Sequence, residues 1–348
     1  MRENDGRKLD HATLAQMRFR AVDAVGDGMH PEDVAAALGI RPSLMRISDA
    51  LARVRDGDGG VRAATGDVNR ARLRELGFEL GVRAEAGVSD EGAWFATAPD
   101  GAPVVLKWFP DETVAERYAV LLPGLDELRS RGVPVPEYPH VLAVDGWTLS
   151  AQQVLPGASL RNPSPAMVEQ VVECVAAMAG VACPLPAPDL LPWGASVVHT
   201  LTVGVDGWAM HEPLRTGGRR SAAVLDRVVA VGADADAAWF PTDGLVHLDL
   251  HTDNILAGDD GTLTGIIDWE GACAGDPRFD LVRFAYDLDG HDQPVWDVVE
   301  ATGIEPRVLR AYVAHHALRC TSWQIHHHTD DVPRQLDRAE RVLDRYEA

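Results

Sequence analysis

The feature that most constrains the fold lies between residues 244 and 268, where short apolar runs alternate with polar residues. Gly244–Val246 predicts a buried strand that leads into a polar loop. A second apolar run follows, turns at two aspartates and a glycine, and returns along Thr264–Ile267 to Asp268. The chain is therefore predicted to fold back on itself as strand, loop and strand.

This folding brings three oxygen-bearing side chains together, and we expect Asp249, Asn254 and Asp268 to lie close in space. Magnesium prefers hard oxygen ligands and bridges the phosphates of a nucleoside triphosphate, so Asn254 and Asp268 are the predicted metal ligands. Asp249 is the predicted catalytic residue, which accepts the proton of an attacking hydroxyl and orients it. The cluster predicts phosphoryl transfer with Mg²⁺ and with ATP or GTP as donor.

Other polar residues of the unit have simpler interpretations. Asp259 and Asp260 are typical of a turn, because they stand beside Gly261 between two strands. His247 is interpreted as structural support for the loop. His251 has two open readings, in which it either orients the loop or packs beside it.

Composition and charge narrow the class of protein. The 348 residues carry a formal net charge of −21, which repels phosphate backbones and anionic membranes. Four scattered cysteines, without a Cys-x-x-Cys pair, favour a reducing compartment and no disulfide framework. No stretch reaches the roughly 18 apolar residues of a membrane span. We expect a cytoplasmic protein without a membrane segment.

The chain is predicted to have three segments. Residues 1–60 read as a helical extension that resembles a helix-turn-helix unit and ends in a glycine-rich linker. Residues 61–153 contain strand-like runs, a hairpin turn at Asp100-Gly101 and one helix from Asp111. Residues 154–348 are mostly helical. The fold class is α+β, with a small β-rich lobe before a larger helical lobe.

Three motifs carry a resemblance to a known family. They are His247-Leu-Asp249 with Asn254, then Ile267-Asp268-Trp-Glu-Gly, then Gly275-Asp-Pro-Arg-Phe-Asp280-Leu. Together they resemble the aminoglycoside phosphotransferase and choline kinase family, whose fold is the bilobal fold of protein kinases. The resemblance implies that Asp249 is the catalytic base and that Asn254 and Asp268 bind magnesium. It also implies that Asp280 is structural.

One position departs from the family pattern. Leu248 stands where the family usually has glycine, between the motif histidine and Asp249. We expect this change to alter the packing of the loop and to leave its chemistry intact.

The resemblance also implies a nucleotide site in the small lobe. Lys107 ends a strand after the hairpin and corresponds to the lysine that contacts the phosphates. It is one of two lysines in the chain, and a lysine kept among arginines indicates a need for a compact ammonium. Glu116 is the predicted partner of Lys107. Backbone groups from Gln152 to Val154 are predicted to meet the purine, and Gly87–Gly92 is a candidate loop over the phosphates.

The extension and the acceptor leave alternatives open. Residues 1–60 either bind DNA through arginines or serve as a packing extension, and their near-zero net charge favours packing. The rival to an enzyme is a DNA-binding regulator whose kinase-like domain only senses nucleotide. His326-His-His328 is read as a solvated or pocket-lining face, because consecutive helical residues point in different directions.

The predicted acceptor is a small molecule with a hydroxyl group. Aspartates near the acceptor region would suit a cation, such as an aminoglycoside antibiotic, and the protein would then confer antibiotic resistance. These aspartates are Asp289, Asp292, Asp330 and Asp331. The alternative acceptor is a metabolite such as an amino alcohol or a sugar.

Overall fold

The computed structural model describes residues 70–83, 93–290, 295–327 and 330–346. The chain divides into two compact units, Met1–Leu80 and Gly81–Ala348. The helical extension predicted for residues 1–60 and the candidate phosphate loop Gly87–Gly92 lie outside the described residues. The segment boundaries at 60/61 and 153/154 stay predictions.

A five-stranded sheet with the order β1-β2-β3-β5-β4 forms the small lobe. Its strands are β1 (Glu79–Arg83), β2 (Ala93–Thr97), β3 (Pro103–Phe109), β4 (His140–Val144) and β5 (Trp147–Gln153). Helix α1 (Thr113–Ser130) packs against β4 and β5. The helix begins at Thr113 with Glu112 as its N-cap, and just before it the Asp111 carboxylate accepts a hydrogen bond of 2.8 Å from the Thr113 N–H.

Strand alternation determines which face of β3 presents the lysine. Val104 and Leu106 point into the core of the small lobe and are buried, as successive side chains of a strand lie on opposite faces. Val105 and Lys107 lie on the other face and line a cavity. Lys107 pairs with Ser150 across the β3–β5 ladder, which holds its position along the sheet.

The large lobe is mainly helical. Its helices are α2 (Pro165–Met178), α3 (Trp193–Thr202), α4 (His211–Thr216), α5 (Arg219–Asp234), α6 (Arg278–Asp287), α7 (Val295–Ala301), α8 (Pro306–His326) and α9 (Val332–Tyr346). Helix α8 packs against five of the others, α3, α4, α5, α6 and α9. It is correspondingly buried over most of its length, so that it forms the centre of this lobe. No helix in the described part of the chain is long and apolar enough to cross a membrane.

Two small sheets sit within the large lobe and carry the motif residues. Strand β7 (Gly244–Val246) pairs with β10 (Cys273–Gly275), and the two strands run antiparallel to each other. Strands β6 (Ala158–Ser159), β8 (Ile255–Ala257) and β9 (Leu263–Ile266) form the other sheet. The strand, loop and strand predicted from the sequence are present, and the predicted bilobal α+β fold is confirmed.

Two buried histidines of α8 make the stability of the fold depend on pH. His315 and His316 are almost fully buried, and their rings contact the ring of Phe279. Burial, reinforced by the nearby Arg319 guanidinium, lowers the pKa of His315 to about 3. Both imidazoles are therefore neutral in the folded protein near neutral pH.

This burial predicts acid sensitivity. An unfolded histidine takes up a proton near about pH 6.5, whereas folded His315 does not until about pH 3. Protonation of the unfolded chain therefore leaves the unfolding free energy unchanged above pH ~6.5 and lowers it progressively as the pH falls toward ~3. We expect His315→Gln to flatten the fall of the unfolding free energy between about pH 6.5 and 5, by up to ~1.4 kcal/mol per pH unit. Urea unfolding at a series of pH values measures this slope.

The exposed His326 on the same helix provides the control. His326→Gln should keep the wild-type slope. An unchanged slope in His315→Gln would show that other groups control the acid limb.

Candidate active site

The loop after β7 is held by one buried carboxylate. Asp280, on α6, is fully buried and accepts hydrogen bonds from the backbone N–H groups of His247 and Leu248, at 2.6 and 2.9 Å. Burial raises the pKa of Asp280 to about 8, and the two N–H donors oppose that rise because they favour the ionised form. Asp280 thus ties α6 to the loop, which agrees with the structural role that the resemblance implies.

His247 joins the two strands of the motif. Its Nε2 lies 2.8 Å from the Ile267 carbonyl oxygen, and its Nδ1 accepts from the Asp249 N–H at 3.2 Å. This pattern requires a neutral ring with the proton on Nε2. Burial lowers the pKa of His247 to about 4, which agrees with the neutral form. His247 therefore supports the loop, as predicted, and it holds Asp249 beside the end of β9.

Leu248 adopts the backbone conformation that glycine prefers. Its φ is +77°, in the left-handed region that costs an ordinary residue about 1–2 kcal/mol. Its side chain is 2% exposed and lies against Gly271. Burial of the leucine side chain compensates for the strained backbone, which gives a physical reason why this position tolerates a departure from glycine.

A cavity of about 570 Å³ brings the predicted site residues together. Lys107 from β3 and the three motif residues Asp249, Asn254 and Asp268 all line it. The sequence places Lys107 more than a hundred residues before the motif. The two lobes therefore converge on one cleft that is large enough for a nucleotide and part of an acceptor.

Asp249 is ionised and surrounded by positive groups. Burial alone would raise its pKa, but Arg319, then His251 and Arg283, outweigh burial and hold the pKa of Asp249 well below the ordinary value. Arg319 Nη2 lies 2.9 Å from Asp249 Oδ2, and Arg283 Nε lies 3.5 Å from Oδ1. An acceptor hydroxyl in the cleft would meet a carboxylate that can accept its hydrogen bond.

Lys107 pairs with the two acidic residues around Trp269. Its ammonium contacts Asp268 directly and donates a hydrogen bond of 2.6 Å to Glu270 Oε1. Trp269, between them, is fully buried, and its indole N–H donates to the Ile266 carbonyl. The buried indole anchors the turn, so that both flanking carboxylates face the lysine.

The predicted pairing of Lys107 with Glu116 is corrected by this geometry. Glu116 lies in the first turn of α1 and is exposed, while Tyr118, two residues later, faces the interior. The helix begins shortly after β3 ends, so its first turn points that carboxylate to solvent. Glu270 is the residue that pairs with the lysine. The sequence shows it only as an acidic residue two positions after Asp268.

Asn254 and Asp268 have the chemistry of a magnesium site. The Asn254 amide donates a hydrogen bond of 3.0 Å to the Asp249 carbonyl, which leaves its own carbonyl oxygen free to act as a ligand. Asp268 adds a carboxylate on the same cavity wall. Among the described residues, no group of three His, Cys, Asp or Glu side chains could hold a metal by itself. Two protein oxygens fit magnesium, which takes its other ligands from phosphates and water.

The predicted purine site lies at the end of β5. Gln152 is 6% exposed, and both Gln152 and Val154 line the cavity. The Gln153 N–H donates a hydrogen bond of 2.7 Å to the Glu137 carbonyl, which fixes the backbone between Gln152 and Val154. Contact of Gln152 and Val154 with a nucleotide stays a prediction.

Three of the four aspartates that suggested a cationic acceptor, Asp289, Asp330 and Asp331, do not line the cavity. Asp289 pairs with Arg341 at 2.7 Å, and Asp330 and Asp331 are exposed. Asp292 lies outside the described residues. The wall around Asp249 instead carries residues that sequence reasoning missed, namely Arg283, Asp287, Arg319 and Arg338. They come from three separate helices, and their spacing in the sequence has no motif that would reveal their meeting.

The fold and the site define a kinase-like phosphotransferase. A family model described as phosphotransferase enzyme family matches residues 81–317, about two thirds of the chain. The chain belongs to this family.

Solved structures support the same fold. A thermostable mutant of aminoglycoside phosphotransferase APH(4)-Ia, in complex with ADP and hygromycin B, is 18% identical with a TM-score of 0.58, covering 80% of this chain and 98% of that one. The amicoumacin kinase hAmiN, in complex with AMP-PNP, Ca²⁺ and Ami, is 13% identical with a TM-score of 0.53, covering 83% and 96%. Choline kinase LicA from Streptococcus pneumoniae is 15% identical with a TM-score of 0.50, covering 81% and 100%. At these identities the similarity shows the fold.

A curated relative matches over a shorter stretch. The protein named uncharacterized protein YcbJ, from Bacillus subtilis (strain 168), is 41% identical over 51 residues, which is 15% of this chain. The match spans 17% of that relative's length.

The strained loop gives a stability prediction. Both Leu248→Ala and Leu248→Gly remove a buried side chain, which costs about 2–5 kcal/mol. Glycine also relieves the left-handed strain of about 1–2 kcal/mol, which offsets its own backbone entropy cost of about 0.5–1 kcal/mol. We therefore expect Leu248→Gly to be no less stable than Leu248→Ala in denaturant unfolding.

Leu250 is the matched control, since it is fully buried and lacks a positive φ. There the order should reverse, with glycine less stable than alanine by about 0.5–1 kcal/mol. The same order at both positions would contradict the interpretation of Leu248.

Proposed function

We propose that the protein transfers the γ-phosphoryl group of ATP or GTP to a hydroxyl group of a small molecule. The observation that carries this proposal is the single cavity lined by Lys107, Asp249, Asn254 and Asp268. It provides a cation for phosphates, oxygen ligands for a metal and an ionised carboxylate for the acceptor. A domain that only senses nucleotide would have no need for that carboxylate.

In this reaction Asp249 orients the acceptor. Its carboxylate accepts a hydrogen bond from the hydroxyl, whose oxygen then attacks the γ-phosphorus. The new O–P bond forms, the bond from the γ-phosphorus to the β–γ bridging oxygen breaks, and the hydroxyl proton passes to Asp249. Because the pKa of Asp249 is held low, proton transfer is expected late, and the main effect of the residue is positioning.

The nucleotide side depends on Lys107 and the two predicted metal ligands. Asn254 and Asp268 would hold magnesium, which neutralises charge on the phosphates when it is bound. Lys107 is already close to Asp268 and Glu270, so its ammonium is positioned where phosphate oxygens would enter. Backbone groups of Gln152 and Val154 are the proposed contacts of the purine.

The fold is compatible with more than one class of acceptor. Two of the similar structures contain, by their descriptions, hygromycin B or Ami, and another is a choline kinase. An antibiotic or a metabolite hydroxyl is therefore compatible with the fold. A panel of aminoglycosides, macrolides, peptide antibiotics and amino alcohols, read by release of ADP or GDP, distinguishes the two classes.

Removal of the proposed base tests the proposal. Asp249→Asn keeps the size of the side chain but removes its charge, and we expect kcat to fall by about 10²–10⁴. Nucleotide affinity should stay close to that of the wild type, because the change lies on the acceptor side. Asp259→Asn is the control, since Asp259 is exposed in the β8–β9 turn. Full activity in Asp249→Asn, measured by nucleoside diphosphate release with an accepted substrate, would refute the assignment.

The lysine gives a second test. Lys107→Arg preserves the charge but places a broad planar guanidinium beside Asp268 and Glu270, where a compact ammonium now fits. We expect the dissociation constant of the Mg²⁺–nucleotide complex to rise about tenfold. Isothermal titration with a non-hydrolysable nucleotide analogue measures it. Wild-type affinity in Lys107→Arg would show that the site needs only a positive charge.

A further inference from the structure

Three arginines from three helices converge beside Asp249. Arg283 of α6, Arg319 of α8 and Arg338 of α9 all line the cavity, and we call them the arginine pocket. Their side chains are 10%, 12% and 19% exposed. Arginines so well buried need compensating partners, because burying an unpaired charge is costly.

The partners present do not satisfy Arg283. Its Nε and Nη1 atoms are buried without a hydrogen-bond partner in the part of the chain that the structure describes. The nearest carboxylates, Asp249 and Asp287, lie 3.5 and 3.7 Å away, beyond good hydrogen-bond distance. Arg283 lines the cavity, and a guanidinium there whose donors lack partners is suited to bind an acceptor oxygen once its side chain turns toward the cavity.

The charge of this cluster is positive. Among the residues that the structure describes, ion pairs within 4 Å join the three arginines to two aspartates, Asp249 and Asp287. Asp287 is further occupied by Thr252, whose N–H and hydroxyl both donate to it, at 3.1 and 2.5 Å. Burial, followed by the repulsion of Arg283, lowers the pKa of the neighbouring His251, while the nearby aspartates oppose that shift.

This local excess runs against the rest of the molecule. The whole chain has a net charge of −21, yet the three arginines of the pocket outnumber the two described aspartates with which they form ion pairs, while Asp253 also lines the cavity. A polycationic acceptor would meet like charges there, and both carboxylates are already paired. An anionic acceptor would gain planar, bidentate donors.

We propose that the arginine pocket binds a carboxylate or phosphate group of the acceptor, so that the substrate is a hydroxy compound with a negative charge. The inference rests on the proposed function for the role of Asp249, but the anion site itself does not depend on phosphoryl transfer. Arg319 holds Asp249 and the Leu248 carbonyl, the latter at 2.6 Å. Arg283 and Arg338 are therefore the arginines left to meet the anion.

Two small probes of opposite charge test the site without any nucleotide. Malonate and 1,3-diaminopropane place two charges at similar separation on a three-atom chain. Isothermal titration at constant ionic strength should show millimolar or tighter binding of malonate and weaker or no binding of the diamine. Inorganic phosphate, titrated in the same way, distinguishes a pocket that prefers phosphate from one that prefers carboxylate.

A pair of variants on α9 locates the binding. Arg338→Gln should weaken malonate binding about tenfold, whereas Arg334→Gln should stay within about twofold of the wild type. Arg334 lies one turn earlier on the same helix and is exposed, so the same chemical change is made once in the pocket and once outside it. Arg338→Lys, which keeps the charge but not the planar fork, should lie between them. Circular dichroism checks that each variant is folded.

The outcomes separate this inference from the proposed function. Lys107→Met should leave malonate binding intact, since that lysine belongs to the nucleotide side. Loss of binding in Lys107→Met would instead assign the anion to the phosphate site and overturn the proposal. Tighter binding of the diamine, absence of malonate binding, or equal binding in Arg338→Gln would also overturn it. None of these results bears on whether Asp249→Asn abolishes phosphoryl transfer.

Discussion

The geometry of the site depends on the contact between Asp280 and the loop after β7. A buried carboxyl group that accepts two backbone N–H groups is a directional attachment, and here it joins α6 to His247 and Leu248. His247 continues the connection to Ile267 through its ring. Asp249 directly follows Leu248, and Asp268 directly follows Ile267. These hydrogen bonds therefore fix the backbone on which both aspartates stand.

That attachment explains why a strained residue persists in the loop. The two N–H donors must point at Asp280 together, and the chain reaches this arrangement with Leu248 at positive φ. The cost of about 1–2 kcal/mol is comparable to what burial of a leucine side chain contributes. Strain at the site is therefore offset locally, within the same residue, and the rest of the large lobe need not compensate for it.

Sequence patterns predicted the parts of the fold that depend on local rules. The hairpin at Asp100-Gly101, the strand Gly244–Val246 and the lysine on β3 follow from turn chemistry and alternation, and the structure has all three. The partner of Lys107 was predicted wrongly as Glu116, because helix phase after a short connection is not readable from spacing. Glu270 was within a quoted motif, but its direction depends on the buried Trp269.

The arginine pocket has no local signal in the sequence. Arg283, Arg319 and Arg338 belong to helices that meet only through the packing of α8 in the centre of the large lobe. Net charge pointed to a cation, since the chain is strongly acidic, whereas three arginines line the wall beside Asp249. Global charge describes the surface that solvent sees, and a substrate responds to the few groups within a Debye length of about 8–10 Å. The acceptor of an acidic protein can for that reason be an anion.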